Sequence, residues 1–352
     1  MTQHDSRHDS RHDSRHDSPR VHPVTTAPQR RRVLHWLGGG ALVLQGLPST
    51  AQEAAYPNKP IRLVPFGTAG GPIDTIARLY GERLTQRWGQ QVLVDPKPGA
   101  SGIVAADFVA RAPADGYTLM LTLSLTHTTV PMLQQKVPYD PVRDFQPLTQ
   151  IATGGPMLVV PAANPANNLK ELVAWAKAKG RVTYGTWGNG SAAHLWGELF
   201  KRQSGAPLEH VPYKAEAQAH MDMFGGVLDI AWSNPSTART HVQSGRIKAL
   251  GITGARRVGA LPNVPTFTEQ GFDGFTLNSW LGFFGPARMP RPVVDRLVAA
   301  LRETTQLPEV RARLLDMGFE PLGNTPEEFA AVQVAELPQW AALIKTAGVT
   351  PE

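Results

Sequence analysis

Residues 61–78 constrain the fold more than any other segment, because a short apolar strand runs there into a glycine-rich turn and then into a helix that begins at Pro72. The first N–H groups of a helix have no partner within it, and the helix dipole favours negative charge at that end. Gly67, Gly70 and Gly71 would let a ligand approach the backbone closely. The junction therefore predicts an anion site, although such turns also serve chain reversal alone. No Gly-Lys-Ser/Thr follows it, so the pattern does not indicate a nucleotide-binding P-loop.

The rest of the chain repeats this alternation of short apolar strands and helices. Strands separated by helices of this length indicate βαβ units, so the predicted fold class is α/β, with mostly parallel sheets flanked by helices. Ligands bind outside the carboxyl ends of such strands, and a cleft between two such lobes is a natural site. The predicted strands are 61–65, 92–94, 117–122, 157–160, 182–184, 209–211, 228–231 and 248–252.

The first 51 residues have the composition of a disordered leader followed by a signal peptide. His-Asp-Ser occurs four times with arginine between the copies, a low-complexity run that cannot form a core. An arginine triplet at 30–32, an apolar segment at 33–44 and small residues ending at Ala51 then match the regions of an export signal. The triplet fits the twin-arginine form, and the general secretory route stays open as an alternative. We therefore expect export to the periplasm, with cleavage near Ala51.

Cysteine usage and charge exclude several functional classes. The chain has no cysteine, which excludes disulfides, thiolate catalysis, cysteine–metal sites and a lipid anchor at the cleavage site. It has 35 Lys and Arg against 29 Asp and Glu, and the leader holds seven and four of these, which leaves 28 against 25. Because the expected mature chain is nearly neutral and has no basic stripe, a nucleic-acid partner has no electrostatic support. Its length of about 300 residues is sufficient for two lobes.

Hydroxyl side chains and glycines follow several other predicted strands. Residues 98–102 precede a helix, and Ser124 begins a run of four hydroxyl side chains after the third strand. The loop after the strand at 182–184 adds Thr186, Asn189 and Ser191 to its glycines. Ser and Thr donate hydrogen bonds to carboxylates, but they are equally common as helix caps. Taken together, these loops predict a site for a small anion at the strand ends.

The same loop also fits a different function. Residues 188–193 match the dinucleotide fingerprint Gly-x-Gly-x-x-Ala, and Glu209 follows at the distance expected of a ribose partner. The match lies in mid-chain, whereas the fingerprint normally lies in the first βαβ unit of a domain. His194 could act as a general base, but no Gly-x-Ser-x-Gly elbow accompanies it. The alternative is therefore a periplasmic α/β enzyme, hydrolytic or dinucleotide-dependent, that uses residues 188–191 and His194.

A series of short motifs extends from Tyr56 to the C-terminus. They are Tyr-Pro-x-Lys-Pro-Ile-Arg at 56–62, Pro-Phe with Gly-Gly and Asp at 65–74, Pro-Gly-Ala at 98–100, Asp-Gly-Tyr-Thr at 115–118, Pro-Tyr-Asp at 138–140, Gly-Asn-Gly-x-x-x-His-Leu at 188–195, Val-Pro-Tyr-Lys at 211–214, Leu-Pro-x-Val-Pro at 261–265 and Trp-x-Gly at 280–282. In order and number they resemble the Bug/TctC family of extracytoplasmic solute receptors, which serve tripartite tricarboxylate transporters.

The resemblance implies a two-lobe periplasmic-binding-protein fold of the Venus-flytrap kind that closes over a small carboxylate. The first lobe would comprise residues 56–154 and 276–352, and the second lobe residues 155–275. No catalysis, cofactor or metal is implied. The expected partners are the carboxylate solute and the membrane permease subunits of a tripartite tricarboxylate transporter, and we expect the receptor itself to be a monomer.

The resemblance also assigns the ligand contacts, mainly to loop amides and hydroxyls. Two interpretations of Asp74 stay open, a carboxylate that caps its helix or a ligand contact, because a bare carboxylate would repel an anionic solute. The implied contacts are Phe66, Gly67, Thr68, Gly71, Asp74 and Ser124 around one carboxylate group, and Thr186, Asn189, Gly190 and Ser191 from the other side, with Tyr213, Asn234 and Trp280 as walls.

The sequence departs from the family pattern at two places. Ser101 and Ala105 replace glycines after Pro-Gly-Ala, and Ala215 and Glu216 stand where members generally have Gly-Gly after Tyr-Lys. We expect Glu216 to point outward into solvent, because carboxylates are rarely buried. In the cleft it would instead favour a cationic or amphoteric solute.

Overall fold

The computed structural model describes residues 56–350, so the predicted leader, the cleavage near Ala51 and the last two residues lie outside the described residues. Its strands are β1 (Ile61–Pro65), β2 (Val92–Val94), β3 (Thr118–Leu123), β4 (Phe145–Gly154), β5 (Met157–Pro161), β6 (Val182–Thr186), β7 (Leu208–Pro212), β8 (Ile230–Ser233), β9 (Ile247–Ile252), β10 (Ser279–Pro286) and β11 (Glu320–Pro321). Its α-helices are α1 (Pro72–Trp88), α2 (Ile103–Ala110), α3 (Thr129–Leu133), α4 (Leu169–Lys179), α5 (Ala192–Ser204), α6 (Glu216–Phe224), α7 (Pro235–Gln243), α8 (Arg291–Gln306), α9 (Pro308–Asp316) and α10 (Pro326–Ala347).

Helix α1 follows the glycine-rich turn as predicted. Pro72 suits its first position, where a backbone N–H would have no helical partner. Ile76, Tyr80 and Leu84 are buried on the face that packs against the sheet. The helix ends at Gly89, whose left-handed φ of 64° lets the chain turn away.

The strands form two sheets. The first has the order β11-β4-β10-β3-β1-β2, and the second has the order β7-β6-β8-β5-β9. In the first sheet β1 is parallel to β2 and β3, whereas β10 is antiparallel to β3 and β4, and β11 is antiparallel to β4. In the second sheet β6 is parallel to β7 and β8, whereas β5 is antiparallel to β8 and β9. The α/β class is as predicted, but both sheets are mixed where mostly parallel sheets were expected.

The mixed pairing results from the way the chain passes between the sheets. Strand β4 ends at Gly154 in the first sheet, and β5 begins at Met157 in the second. The chain returns between β9 and β10, and β10 then pairs antiparallel with β4. Local sequence patterns identify a strand but not its direction, so the antiparallel pairing of β5 with β8 and of β10 with β4 could not be predicted from them. The exchange points lie beside the predicted lobe boundaries, which remain a prediction.

Each sheet has its own apolar clusters, and α10 contributes to one in each. A capping box of Thr325 and Glu328 begins this helix. Phe329, one turn on, packs into a cluster with first-sheet residues, whereas Trp340 packs into a second-sheet cluster with Trp196. Pro338 lies inside the helix between these two side chains. No helix within residues 56–350 combines the length and the apolar character that a membrane span requires.

Candidate functional site

A cavity of about 470 Å³ is lined by loops from both sheets. The segments that line it follow the ends of β3, β6 and β8, together with the link between β4 and β5. This is the edge of an α/β sheet at which ligands bind. The lining residues are Ser101, Leu123, Ser124, Leu125, Thr128, Thr129, Val130, Leu133, Gln134, Gly154, Gly155, Pro156, Trp187, Asn189, Gly190, Ser191, Ala192, Glu216, Asn234, Pro235, Ser279, Met317, Gly318, Phe319, Trp340, Val349 and Thr350.

Five of the predicted contacts meet at this cavity. Ser124 lies after β3, Asn189, Gly190 and Ser191 lie in the loop after β6, and Asn234 lies after β8. Ser124 and Asn189 offer a hydroxyl and a carboxamide, which bind a carboxylate without a positive charge, whereas Gly190, Ser191 and Asn234 use their donors within the protein. The five residues lie between Ser124 and Asn234, well apart in the sequence, and the fold brings them to one cavity.

The loop after β6 is held by a network behind the cavity. The Ser191 hydroxyl caps α5 by accepting the N–H of His194, and it donates to the Gly188 carbonyl at 2.7 Å. The Gly190 N–H donates to His194 Nδ1 at 3.1 Å. The His194 ring stacks on His210 with centroids 3.9 Å apart. These contacts fix the loop that carries Asn189 and Gly190.

Thr186 and Glu209 take structural roles in the same region. The Thr186 hydroxyl is buried and lies 2.6 Å from His210 Nε2, so it supports the loop from behind and does not line the cavity. Glu209 forms an exposed ion pair with Arg181, with 2.6 Å between the charged atoms. The position expected of a ribose-binding carboxylate is therefore occupied by a surface salt bridge.

The stacked histidine pair predicts a pH effect on stability. Burial in the first place, and then His194 and Lys201, lower the pKa of His210 to about 3. Between pH 6.5 and 3 the unfolded chain therefore binds a proton that the folded chain does not, so stability falls as the pH falls. We expect this residue alone to cost about 1 kcal/mol at pH 5 relative to pH 7, after allowance for its partial exposure to solvent.

Urea unfolding of the wild type and of His210→Gln at pH 7 and pH 5 measures this effect. The variant should lose less stability than the wild type between the two pH values. Equal losses in the two proteins would show that His210 does not titrate as its surroundings predict.

The glycine-rich loop before α1 does not line the cavity. Phe66 and Gly67 are half-buried, Thr68 is exposed, and the carbonyl of Thr68 accepts the N–H of Gly71 at 3.0 Å. A Cβ added at Gly102 would lie 3.2 Å from Phe66, so this loop packs against the residue that follows Ser101, and Ser101 lines the cavity. Phe66, Gly67, Thr68 and Gly71 therefore remain predicted contacts.

Asp74 has a structural role in the turn before α1, and its interpretation as a ligand contact stays a prediction. Its side chain is buried, and Oδ2 accepts the Gly70 N–H and the Arg78 Nε–H, each at 2.8 Å. Burial would raise the pKa of this carboxyl, but the hydrogen bonds from Arg78 and Gly70 outweigh it and hold the pKa below its ordinary value. The Asp74 carboxylate thus anchors the turn before α1.

Two residues that were predicted to form walls of the site, Tyr213 and Trp280, do not line the cavity. The Tyr213 hydroxyl donates to Asp222 at 2.8 Å and the ring does not line the cavity. Trp280 is fully buried among Phe284 and Phe329, and its indole N–H donates to Glu336 at 3.0 Å. Both faces of β10 are covered and the indole does not line the cavity, so a role of Trp280 as a wall of the site stays a prediction that this packing does not support.

Glu216 also departs from expectation, because it lines the cavity and its side chain is only 14% exposed. Its Oε1 accepts the Ser233 hydroxyl at 2.7 Å and the Asn234 N–H at 2.9 Å, and its Oε2 accepts the Asn234 carboxamide. Burial raises the pKa of Glu216, and these hydrogen bonds partly offset the rise. An outward, solvated position was expected, but the donors after β8 hold the carboxylate inward.

Several lining residues were not identified from the sequence. Trp187 lies in the loop after β6, which was predicted to contact the ligand, but nothing in the sequence indicated that its own side chain would line the cavity. The glycine pair at 154–155 marks a turn, which could have pointed to the exchange between the sheets. Gly318, Trp340 and Val349 come from the C-terminal segments, far from the other lining residues in sequence, so no local pattern predicts them.

Comparison with known proteins identifies clear similarities. The family model described as "Tripartite tricarboxylate transporter family receptor", TctC, matches residues 76–349. A relative from Pseudomonas sp. (strain P51), described as "UPF0065 protein in tcbD-tcbE intergenic region", is 35% identical over 319 residues, which cover 90% of this chain and 94% of the relative.

Solved structures agree with this result. The periplasmic binding protein BugD is 34% identical, with a TM-score of 0.70, and the match covers 84% of this chain and all of BugD. Rpa4515 of R. palustris, solved with adipate, is 32% identical, with a TM-score of 0.73, and the match again covers 84% of this chain and all of the other. The predicted periplasmic-binding-protein fold is thereby confirmed.

Proposed function

The chain belongs to the tripartite tricarboxylate transporter receptor family, TctC, and from this premise we propose that it captures a small carboxylate in the periplasm and delivers it to the membrane subunits of such a transporter. Members of this family are solute receptors. The adipate in the Rpa4515 structure supports a carboxylate ligand for the present chain. The proposal assigns no catalytic step, in keeping with the engagement of His194 in the loop network.

The single observation that carries the proposal is the convergence of neutral donors at one cavity. Ser124 approaches from the first sheet and Asn189 from the second, while the Gly190 N–H and the Ser191 hydroxyl hold the loop of Asn189 in place through His194 and Gly188. Hydroxyl and main-chain N–H groups bind a carboxylate by hydrogen bonds that strengthen when the acceptor is charged. We assign one solute carboxylate to this group, with Phe66, Gly67, Thr68 and Gly71 as further contacts when the loops approach one another.

Closure of two lobes would couple binding to transport. The proposed lobes are residues 56–154 with 276–352, and residues 155–275. A solute that contacts both lobes at once stabilises the closed form by its differential affinity for that form. We propose that the permease subunits recognise the closed form of a monomeric receptor. The predicted signal peptide, with cleavage near Ala51, supports a periplasmic location.

Calorimetric titration of ligand-stripped protein tests the proposed function. The panel should contain adipate, succinate, citrate, amino acids and aromatic acids. We expect at least one acid to bind and to stabilise the fold by about 2.7 kcal/mol at a concentration 100 times its Kd. The proposal is wrong if no acid raises the melting temperature, or if the protein turns over NADH or a hydrolysable ester.

Variants locate the ligand within the protein. Ser124→Ala and Asn189→Ala should each weaken binding about tenfold, because each removes one hydrogen bond to a charged group, worth about 1.5 kcal/mol. Ser244→Ala is the matched control, since Ser244 is exposed and does not line the cavity. If the control weakens binding as much as the other two, the ligand does not bind where we place it.

A further inference from the structure

Glu216 distinguishes this cavity from one built only of neutral donors. Among the described residues that line the cavity, it is the one with an ionisable side chain, and the remaining polar side chains carry hydroxyl, carboxamide or indole N–H groups. A carboxylate beside the binding space of a carboxylate receptor imposes a charge requirement on the solute. The nature of that requirement follows from what surrounds Glu216.

The Glu216 carboxylate already uses the donors at the start of α7. The Ser233 hydroxyl, the Asn234 N–H and the Asn234 carboxamide all point to its two oxygens. These are the kinds of donor that would otherwise hold a second carboxylate of the solute. A dicarboxylate that entered the cavity would therefore find this position filled by the protein itself.

No cation in the described part of the chain neutralises Glu216. Its ion-pair partner within 4 Å is His220, whose Nε2 lies 3.8 Å from Oε1. Burial, and then His241, lower the pKa of His220 to about 4, so the ring is neutral near pH 7. Among the described residues, the Glu216 carboxylate is therefore held by neutral hydrogen-bond donors and not by a cationic side chain within 4 Å.

We propose that Glu216 sets the solute specificity, and that the receptor takes an amphoteric solute with one carboxylate and one ammonium group in preference to a dicarboxylate. The carboxylate of the solute binds the donors of Ser124 and Asn189, and its ammonium group donates to Glu216 Oε2. That oxygen accepts the Asn234 carboxamide, and the Thr237 side chain also hydrogen-bonds the carboxylate, so the ammonium group joins or replaces one of these neutral donors. This inference rests on the proposed function and specifies its solute class.

The decisive experiment compares solutes that have the same number of methylene groups and differ at one end. The pairs are succinate and 3-aminopropanoate, glutarate and 4-aminobutanoate, and adipate and 5-aminopentanoate. In calorimetric titration of ligand-stripped wild type at pH 7, we expect the amino acid of the best-fitting pair to bind at least tenfold more tightly, a difference of about 1.4 kcal/mol. Glu216→Gln should abolish or reverse that preference.

Two further variants separate specificity from a structural role. Glu216→Asp keeps the charge, so the variant should still bind the amino acid of a pair more tightly than the dicarboxylate. If Glu216 had a purely structural role, its replacement would weaken the binding of both solutes of a pair by the same factor. Glu209→Gln removes a negative charge from the exposed Arg181 pair and should leave the preference unchanged.

The possible failures are distinguishable. Tighter binding of the dicarboxylate by the wild type, with the same ratio in Glu216→Gln, overturns the inference and leaves the carboxylate receptor intact. If neither class of acid binds the wild type, and the wider panel also gives no binder, the proposed function fails and the inference fails with it.

Discussion

Replacement of Trp280 by alanine is expected to lower the free energy of unfolding by about 3–5 kcal/mol. The side chain is fully buried, and its ring centroid lies 4.9 Å from that of Phe329 and 5.7 Å from that of Phe284. Truncation leaves a cavity at these contacts and removes the indole N–H from the half-buried Glu336 carboxyl. Denaturant unfolding monitored by circular dichroism measures the loss.

Trp187→Ala is the matched control for this prediction. Trp187 is half-buried and lines the cavity, so its loss should weaken ligand binding while changing stability by less than about 1 kcal/mol. Trp187, to which the motifs assign no role, thus lines the cavity, whereas Trp280 packs in the core. A Trp280→Ala protein with unchanged stability and lost affinity would restore Trp280 as a wall of the site.

Replacement of Gly155 by alanine is expected to cost about 2–3 kcal/mol, although alanine adds only one methyl group. An added Cβ would lie 2.2 Å from the Thr253 hydroxyl, 2.6 Å from the Asn278 carboxamide oxygen and 2.8 Å from the Thr253 carbonyl. Thr253 follows β9 and Asn278 precedes β10, so the two passages of the chain between the sheets meet here. The backbone oxygen cannot rotate away, so the chain itself must shift.

Gly225→Ala provides the comparison for Gly155→Ala. Gly225 has a φ of −78°, and an added Cβ would lie 3.5 Å or more from its neighbours, an ordinary contact distance. This change should leave stability the same or raise it slightly, since alanine restricts the unfolded chain more than glycine does. Equal melting temperatures for the two variants would contradict the close packing at Gly155.

Features that depend on adjacent residues were predictable from the sequence. The glycine turn, Pro72 and the apolar spacing identify α1 because each acts within a few residues of the next. Ser191 was assigned to the loop before α5, and its hydroxyl lies at the cavity while capping that helix. Local chemistry therefore located the loops that carry donors.

Features that depend on distant parts of the chain were not predictable in the same way. Trp280 lies in β10, whose residues 280–286 are all buried, so alternation of burial could not indicate which way a side chain points. Glu216 follows a motif that says nothing of Ser233 and Asn234, the donors that draw its carboxylate inward. Strand direction in the mixed sheets likewise depends on the return of the chain at β10.

The C-terminal helix α10 has a mechanical consequence for any rotation of one sheet against the other. Phe329 anchors its first turns on one side, and Trp340 anchors its last turns on the other. A rotation would therefore disrupt the packing of Phe329 or of Trp340, or bend the part of α10 between these two residues. Pro338 lies in that segment and lacks the N–H that would complete the helical ladder, so bending costs least there.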